Sequence, residues 1–307
     1  MRDSYGRLVS SLRLSVTADC NQKCFYCHHE GQWTSKGEMT TADIHRLLDI
    51  AHAAGVRRVK ITGGEPLMRN DILELVREAA RLFDEVSLTT NGVFLDSYAD
   101  DLTEAGLDRV NVSLDTLDGG LYERITGTDD VLRVIRGIDE SLQAGLAPLK
   151  INTVLLSELN NSHLSELLGF AASKRAILQL IELNPLNGNG GNALRRFFYP
   201  LKEIENSFAA QAVQVERNEL HDRKRYLVPF NGFIARVEVV RSVGRGSFCR
   251  NCTRIRVTSD GMLKPCLMTG HGMVDFLSPL RAGASDDDLL KLFHEAVRNR
   301  RPYWVAR

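Results

Sequence analysis

The sequence comprises 307 residues, with 39 basic and 39 acidic side chains and a formal net charge of zero. A chain of this length can bury a large core, and we expect one large and one small domain. The balanced charge excludes a global field that attracts nucleic acid or an anionic membrane, so any affinity for anions must be local. Residues 1–11 form no signal-peptide stretch, and no later run reaches membrane-span length. We therefore expect a cytoplasmic protein that binds neither nucleic acid nor membranes.

The first two thirds of the chain alternate between strand and helix patterns. Apolar, β-branched runs predict strands at residues 12–16, 57–64, 85–92, 109–116, 149–156 and 178–185. Helix-period segments, several with an N-cap residue and a closing glycine, include 40–55, 71–83, 131–145 and 161–174. Six strand-helix units predict a parallel sheet with right-handed crossovers, and six are fewer than the eight of a closed barrel. We predict an α/β fold with an open, partial (β/α)6 TIM-like barrel over residues 1–190, extending to 210 at most.

The pattern changes in the last third of the chain. A polar helix is followed by hairpin-like segments at 225–230, 233–242 and 254–266 and by a helix near 286–300. We predict that residues 191–307 form a smaller α+β domain.

Three cysteines directly follow the first predicted strand, at C-x3-C-x2-C spacing: Cys20, Cys24 and Cys27. Six cysteines in a reducing compartment are more often metal ligands or catalytic groups than disulfides. A structural zinc site needs four ligands, and His28 or His29 could supply the fourth only if the chain bent back. Three thiolates instead suit a four-iron cluster, because they leave one iron open to a chelating small molecule.

A second cysteine trio lies in the predicted C-terminal domain: Cys249, Cys252 and Cys266. His271 could complete a zinc ribbon, and this alternative stays open. Arg254 and Arg256 share one face of the strand between the second and third thiols. Arginine forks suit phosphates and purine edges, and a second cluster with an open iron would offer a site for a ring nitrogen.

Three predicted strands carry a cation on the face opposite their apolar residues: Arg13, Lys60 and Lys150. In a sheet covered by helices the apolar face meets the helices, so these cations point into the barrel. A buried cation without an anionic partner is costly, so internal carboxylates or a polyphosphate ligand must balance them. The internal candidates are Glu65, Asp115 and Glu182. Convergence of three cations on one lumen favours the polyphosphate.

These motifs resemble known families. "CNQKCFYC" (20–27) after a first barrel strand resembles the radical S-adenosylmethionine superfamily, and "TGGEP" (62–66) resembles its segment beside the methionyl group. With "FCRNCTRIRVTSDGMLKPCL" (248–267), nearly the whole chain resembles the GTP 3′,8-cyclase family, which begins molybdenum cofactor biosynthesis. The resemblance implies two 4Fe-4S clusters and S-adenosylmethionine. It also implies a 5′-deoxyadenosyl radical that abstracts hydrogen from ribose C3′, after which C3′ attacks guanine C8 and reduction gives 3′,8-cyclo-7,8-dihydroguanosine triphosphate.

The resemblance assigns residues to roles by matched motif. Cluster ligands would be Cys20, Cys24 and Cys27 at the cofactor-cleaving site and Cys249, Cys252 and Cys266 at the guanine-binding site. S-Adenosylmethionine positions would be Tyr26, Gly64 and Ser113. GTP positions would be Arg13, Lys60, Thr89, Lys150, Arg254 and Arg256. Catalytic residues would be Cys20, Cys24, Cys27, Arg254 and Arg256. Implied partners are GTP, an electron donor such as a flavodoxin or ferredoxin, and a cyclic pyranopterin monophosphate synthase; a homodimer stays open.

Three positions depart from the family pattern. Asn184 stands where many members have a cofactor-contacting methionine, and Lys60 stands where arginine is common. The chain ends in "RPYWVAR" (301–307), whereas many members end in a Gly-Gly tail. Two rival interpretations remain: another radical S-adenosylmethionine enzyme with an auxiliary cluster, such as a peptide modifier, and a zinc-stapled binding module with its ribbon at 249–271.

Overall fold

The computed structural model describes residues 1–29, 37–184, 196–218, 223–241 and 246–303. The strands in chain order are β1 (Ser11–Ser15), β2 (Arg58–Thr62), β3 (Glu85–Thr90), β4 (Arg109–Ser113), β5 (Lys150–Leu155), β6 (Ile177–Glu182), β7 (Gln214–Asn218), β8 (Arg223–Phe230), β9 (Phe233–Val240), β10 (Arg254–Val257), β11 (Met262–Lys264) and β12 (Val274–Asp275). The α-helices are α1 (Thr41–Ala53), α2 (Ile72–Leu82), α3 (Leu95–Glu104), α4 (Gly119–Thr126), α5 (Val131–Gln143), α6 (Leu164–Ser173), α7 (Lys202–Gln211), α8 (Gly246–Arg250), α9 (Leu277–Arg281) and α10 (Asp286–Arg298). Short 3-10 turns occupy Pro66–Met68 and Asn161–His163.

All of these strands belong to one 12-stranded sheet, in the order β12-β11-β10-β1-β2-β3-β4-β5-β6-β9-β8-β7. The six predicted strands, β1 to β6, are parallel neighbours in chain order, which confirms the mixed α/β fold with a parallel core. Two later strands extend the parallel run, because β10 pairs with β1 and β9 pairs with β6. Antiparallel hairpins complete both ends. The proposed division at residue 190 stays a prediction.

The alternation of side chains along the strands places the core. On β1, Leu12 and Leu14 are almost completely buried and belong to the main hydrophobic cluster. The helices cover this face with their apolar stripes; in α1 the buried side chains Ile44, Leu47 and Leu48 follow helical spacing. Thr40 caps that helix through a reciprocal capping box with Asp43.

The strand register aligns the opposite, polar face into rows. Arg13 on β1 lies beside Arg256 on β10 and beside Lys60 on β2. Asn111 on β4 lies beside Lys150 on β5. Because neighbouring strands are about 4.8 Å apart, each row brings cations from several strands to one place.

In the described part of the chain, no helix combines the length and the apolar character that crossing a membrane requires.

Candidate active site

A cavity of about 350 Å³ lies on the polar face of the sheet. All six residues at the predicted GTP positions line it: Arg13, Lys60, Thr89, Lys150, Arg254 and Arg256. The three cysteines of the second trio line it as well: Cys249, Cys252 and Cys266. His28, which follows the last cysteine of the first trio, also reaches the wall. The three cations predicted to converge on one lumen therefore line one cavity, and the second cysteine trio lines it too.

Lys150 has an internal anionic partner, Glu238 of β9. The Lys150 Nζ lies 2.6 Å from Glu238 Oε2, and the carboxylate is fully buried. Arg225 and Arg223 of β8 also reach this carboxylate, at 2.9 and 3.5 Å. Burial lowers the pKa of Lys150 to about 8, against the opposing influence of Glu238. The carboxylate that pairs with Lys150 is therefore not one of the predicted candidates, Glu65, Asp115 and Glu182. It is Glu238, which is distant in sequence and reaches Lys150 because β9 pairs with β6.

Two further cavity cations, Lys60 and Arg254, lie among like charges. Lys60 Nζ donates a hydrogen bond of 3.1 Å to the amide oxygen of Asn111, a neutral partner. Burial, followed by the charges of Arg109 and Arg13, lowers the pKa of Lys60 well below its ordinary value. Burial and the neighbouring guanidinium groups likewise lower the pKa of Arg254 to about 9. An anionic ligand would relieve this repulsion.

The first cysteine trio lies on a loop that is fastened to the end of α4. The backbone N–H groups of Lys23 and Phe25 donate to the carbonyls of Thr126 and Ile125, at 2.7 and 3.2 Å. The Gln22 amide donates to the hydroxyl of Tyr122 at 2.6 Å. These contacts fix the loop that carries the thiols.

The three thiols of this loop repel one another when they ionise. Burial, followed by the charges of Asp115, Cys27 and Cys20, raises the pKa of Cys24. Concentrating thiolates at one place is unfavourable unless a cationic centre binds them, so the donor set fits an iron cluster.

The second trio is divided between α8, which carries Cys249, and the turn after β11, which carries Cys266. Burial raises the pKa of Cys252, but the charges of Arg300 and Arg256 outweigh burial and lower it. A thiolate is therefore favoured there, as metal binding requires. Across the described ranges, no three His, Cys, Asp or Glu side chains already form a metal cage at either trio.

Gly64 permits a close approach between the "TGGEP" turn and the segment before Cys20. A Cβ atom at Gly64 would lie 2.0 Å from the carbonyl oxygen of Asp19. The N–H groups of Gly64 and Glu65 donate to the carbonyls of Thr17 and Asp19, at 2.8 and 2.7 Å. The backbone that Gly64 accommodates is therefore the chain's own, at the base of the first cysteine loop.

The Glu65 carboxylate is fully buried and serves this same region. It accepts hydrogen bonds of 2.7 Å from the Thr90 hydroxyl and the Asn91 N–H, and one from the Leu67 N–H. The Asn91 side chain in turn donates to Asn21, next to Cys20. Glu65 thus supports the cysteine loop through Asn91 and is already engaged by internal donors.

Of the two other predicted cofactor positions, Tyr26 lies within the first cysteine loop and Ser113 lies on the sheet. The Tyr26 hydroxyl donates to the buried carboxylate of Asp115, which holds the ring in place. Ser113 is the last residue of β4 and lies beside Asn152 of β5. The roles of Tyr26, Gly64 and Ser113 in binding a cofactor stay predictions.

The sequence is similar to known protein families over nearly its whole length. Residues 14–171 match the model of the Radical SAM superfamily, and residues 176–305 match Molybdenum Cofactor Synthesis C. A protein of Pyrococcus horikoshii named probable GTP 3′,8-cyclase is 46% identical over 99% of this chain and 98% of its own length. Its namesake from Archaeoglobus fulgidus is 42% identical over 99% of both chains. This chain belongs to the GTP 3′,8-cyclase family of the radical SAM superfamily.

Solved structures support the fold of this radical SAM chain. Streptococcus suis SuiB matches 97% of this chain and 67% of its own, with 17% identity and a TM-score of 0.66. The same protein bound to S-adenosylmethionine gives a TM-score of 0.64 at 18% identity. At this identity the likeness concerns the fold alone.

The cavity residues of this family member that were not predicted include seven arginines: Arg7, Arg58, Arg109, Arg223, Arg225, Arg300 and Arg301. Arg109 lies two residues before Asn111 on β4 and therefore on the same face of the strand. The two-residue period that identified Lys60 could have identified Arg109 as well. Arg223 and Arg225 lie on β8, which reaches the cavity because its hairpin partner β9 pairs with the distant strand β6. No local sequence pattern predicts that strand pairing.

Two of the residues that depart from the family pattern, Asn184 and Lys60, line the cavity. Asn184 lines the cavity, and its amide donates to the Met268 sulfur at 3.5 Å. Lys60 lines the cavity as predicted. The last four residues, 304–307, lie outside the described ranges, so the position of the ending stays open.

Gly64→Ala should destabilise the base of the first cysteine loop. The added Cβ would overlap the Asp19 carbonyl, and such overpacking costs about 1–3 kcal/mol. Gly120→Ala is the control, because its Cβ would meet only the Asp118 side chain at 3.6 Å. Urea unfolding and iron content after anaerobic reconstitution measure the effect. Equal values for both variants would contradict the close approach.

Glu65→Gln should flatten the pH dependence of stability. Burial raises the pKa of Glu65 to about 7 from an ordinary value of 4.5, so the folded chain retains a proton that the unfolded chain releases between these values. The free energy of unfolding of wild type should therefore fall by ~3 kcal/mol as pH rises through this window. Unfolding of metal-free protein at several pH values measures the difference, with exposed Glu74→Gln as control. A wild-type slope retained in Glu65→Gln contradicts the assignment.

Proposed function

We propose that this protein is a GTP 3′,8-cyclase, a radical S-adenosylmethionine lyase that converts GTP to 3′,8-cyclo-7,8-dihydroguanosine 5′-triphosphate for molybdenum cofactor biosynthesis. Full-length similarity to proteins named probable GTP 3′,8-cyclase supports this activity. The structural observation that carries it is the cavity in which cations of β1, β2, β5 and β10 face the second cysteine trio. A nucleoside triphosphate has the matching parts, a polyanionic end and a heterocyclic end.

The residues divide between these two ends. Arg13, Lys60 and Lys150 are proposed to hold the triphosphate, because each lies on a strand face that points into the cavity. Arg254 and Arg256 leave the second cysteine loop on β10 and are proposed to bind at the guanine end. Thr89 adds a hydroxyl between the cationic strands.

The first cysteine trio is proposed to hold the cluster that acts on S-adenosylmethionine. When bound, this cluster and cofactor supply the one-electron chemistry that begins the reaction on the ribose. The chain keeps the loop in place through α4 and Gly64, and Asp115 orients the Tyr26 ring beside it. The second trio is proposed to hold a second 4Fe-4S cluster.

A peptide-modifying enzyme is the second candidate, because SuiB, with the same fold, is described in a complex with a precursor peptide. Fold similarity alone therefore does not separate the two activities. A neutral peptide backbone, however, would not balance buried cations on several strands.

Partners and location extend the proposal. We propose a flavodoxin or ferredoxin as electron donor, a cyclic pyranopterin monophosphate synthase as acceptor of the product, and a cytoplasmic location. A homodimer is compatible with this proposal.

Anaerobic incubation with GTP, S-adenosylmethionine and a reductant tests the proposed activity. Mass analysis should detect a product isomeric with GTP, because the hydrogen atom that 5′-deoxyadenosine takes from C3′ is balanced by the electron and proton that reduction adds. Cofactor cleavage without consumption of GTP would favour the peptide-modifying alternative. A colourless, sulfide-free protein that contains zinc would favour the binding module.

The two cysteine trios should separate cofactor cleavage from cyclisation. Cys20→Ala should abolish cleavage of S-adenosylmethionine, because the first cluster loses a ligand. Cys249→Ala should retain cleavage and lose cyclisation. The measurement is 5′-deoxyadenosine beside cyclic product in one assay. Loss of cleavage in both variants would contradict separate roles.

Lys150→Ala should weaken binding of GTP. Loss of a charge-assisted contact costs about 1.5–3 kcal/mol, which is roughly a 10- to 100-fold rise in Kd. Lys174→Ala is the matched control, because Lys174 pairs with Asp139 on the outer helices. Calorimetric titration of reconstituted protein measures Kd, and iron content should not change. An unchanged Kd would mean that Lys150 serves Glu238 alone.

A further inference from the structure

Arg300, which follows α10, is a fully buried cation beside the second cysteine trio. Its side chain is 1% exposed and lines the cavity. One guanidinium nitrogen, Nη1, donates to Asp3 Oδ2 at 2.8 Å, and Nη2 donates to the carbonyl oxygen of Cys252. A residue from the first described segment and one from the last thus meet at a proposed cluster ligand.

Asp3 holds a second arginine in the same way. Arg7 Nε donates to Asp3 Oδ2 at 2.7 Å, and Arg7 Nη1 donates to the carbonyl oxygen of Cys249 at 2.9 Å. One buried carboxylate therefore orients two guanidinium groups, each of which fixes the backbone of one cysteine. The loop has little freedom left between these two anchored carbonyls.

The charges of this group do not cancel. Two guanidinium groups share a single carboxylate, which leaves a net positive charge beside the thiols. The Arg300 Nε–H is buried and has no hydrogen-bond acceptor among the described residues. Burying such a charge is costly unless a negative group faces it. A cluster bound by three thiolates is such a group, and it becomes more negative on reduction.

We propose that Arg300, oriented by Asp3 and paired with Arg7, is a positioning residue that holds the Cys249–Cys252 segment and raises the reduction potential of the cluster on the second trio. The inference rests on the proposed function in one respect, because that function places a cluster on these cysteines. The positive charge stabilises the reduced form more than the oxidised form. Arg300 touches the ligand backbone, and it needs no contact with substrate.

Variants of the full-length, anaerobically reconstituted protein separate two effects of Arg300. One is the hydrogen bonding that fixes the Cys249–Cys252 segment, and the other is the positive charge that raises the reduction potential. Arg300→Met removes both, Arg300→Lys keeps the charge and loses the fork, and Asp3→Asn loosens the fork while leaving the cations. Arg69→Met is the matched control, since Arg69 pairs with Asp71 and donates to the carbonyls of Val16 and Met39. Chains with Cys20→Ala or Cys249→Ala assign each spectroscopic signal to its cluster.

Chelator-driven iron release and a reductive titration followed by electron paramagnetic resonance are the readouts. Arg300→Met should release iron from the second trio about 10- to 100-fold faster and lower the potential of that cluster, with the first cluster unchanged. Arg300→Lys should release iron faster at a nearly unchanged potential. Asp3→Asn should also release iron faster, but its potential should rise, because a negative charge is removed.

Unchanged release and potential in Arg300→Met would overturn the proposal, and so would equal changes in Arg69→Met. If Arg300→Met does not fold, the release rate and potential of Arg300→Lys and Asp3→Asn decide in the same way. Absence of the second cluster gives a different result, a wild type with about four irons instead of about eight, whereas failure of the cyclase activity alone gives no cyclic product at about eight irons. Hydrogen exchange at residues 249–252 of the metal-free chain then still tests the hold: it should accelerate in Arg300→Met and not in Arg69→Met.

Discussion

Positive charge gathered inside a sheet is the constraint on which the rest of this structure depends. Most sheets of this class fill their concave face with apolar side chains, whereas here the face carries lysines and arginines from several strands. One carboxylate, Glu238, neutralises part of the charge near Lys150. Near Lys60 the local partner is an amide, so repulsion persists. The cavity is thus prepared for a polyanion before any ligand arrives, at the expense of stability.

Strand pairing distributes the catalytic parts around that charge. The parallel pairing of β10 with β1 carries Arg254 and Arg256 directly from the second cysteine loop to the side of Arg13. The second cysteine loop precedes β10, whereas the first cysteine loop follows β1, so the two loops lie at opposite ends of this pair of parallel strands. The second trio lines the cavity, and from the first loop His28, next to Cys27, reaches the same cavity. A substrate held by the central cations would have one trio on either side.

Local patterns predicted the strands and the inward cations because both depend on a two-residue period. Arg13, Lys60 and Lys150 were placed correctly for this reason, and the spacing of the cysteines identified both trios. The salt-bridge partner of Lys150 could not be predicted, since Glu238 reaches it only through the pairing of β9 with β6. The same applies to Arg300, whose partner Asp3 is 297 positions away. Long-range pairing is thus the information that periodicity lacks.

The position of β10 in the sheet affects how the chain can fold during synthesis. β1 leaves the ribosome first, but one of its two neighbours, β10, is among the last strands to be made. Until then the backbone groups on that side of β1 have no sheet partner, and an unpaired edge is prone to aggregation. Pairing between distant segments also slows folding, because a long loop must close first. The nascent barrel therefore depends on protection of this edge until β10 has been synthesised.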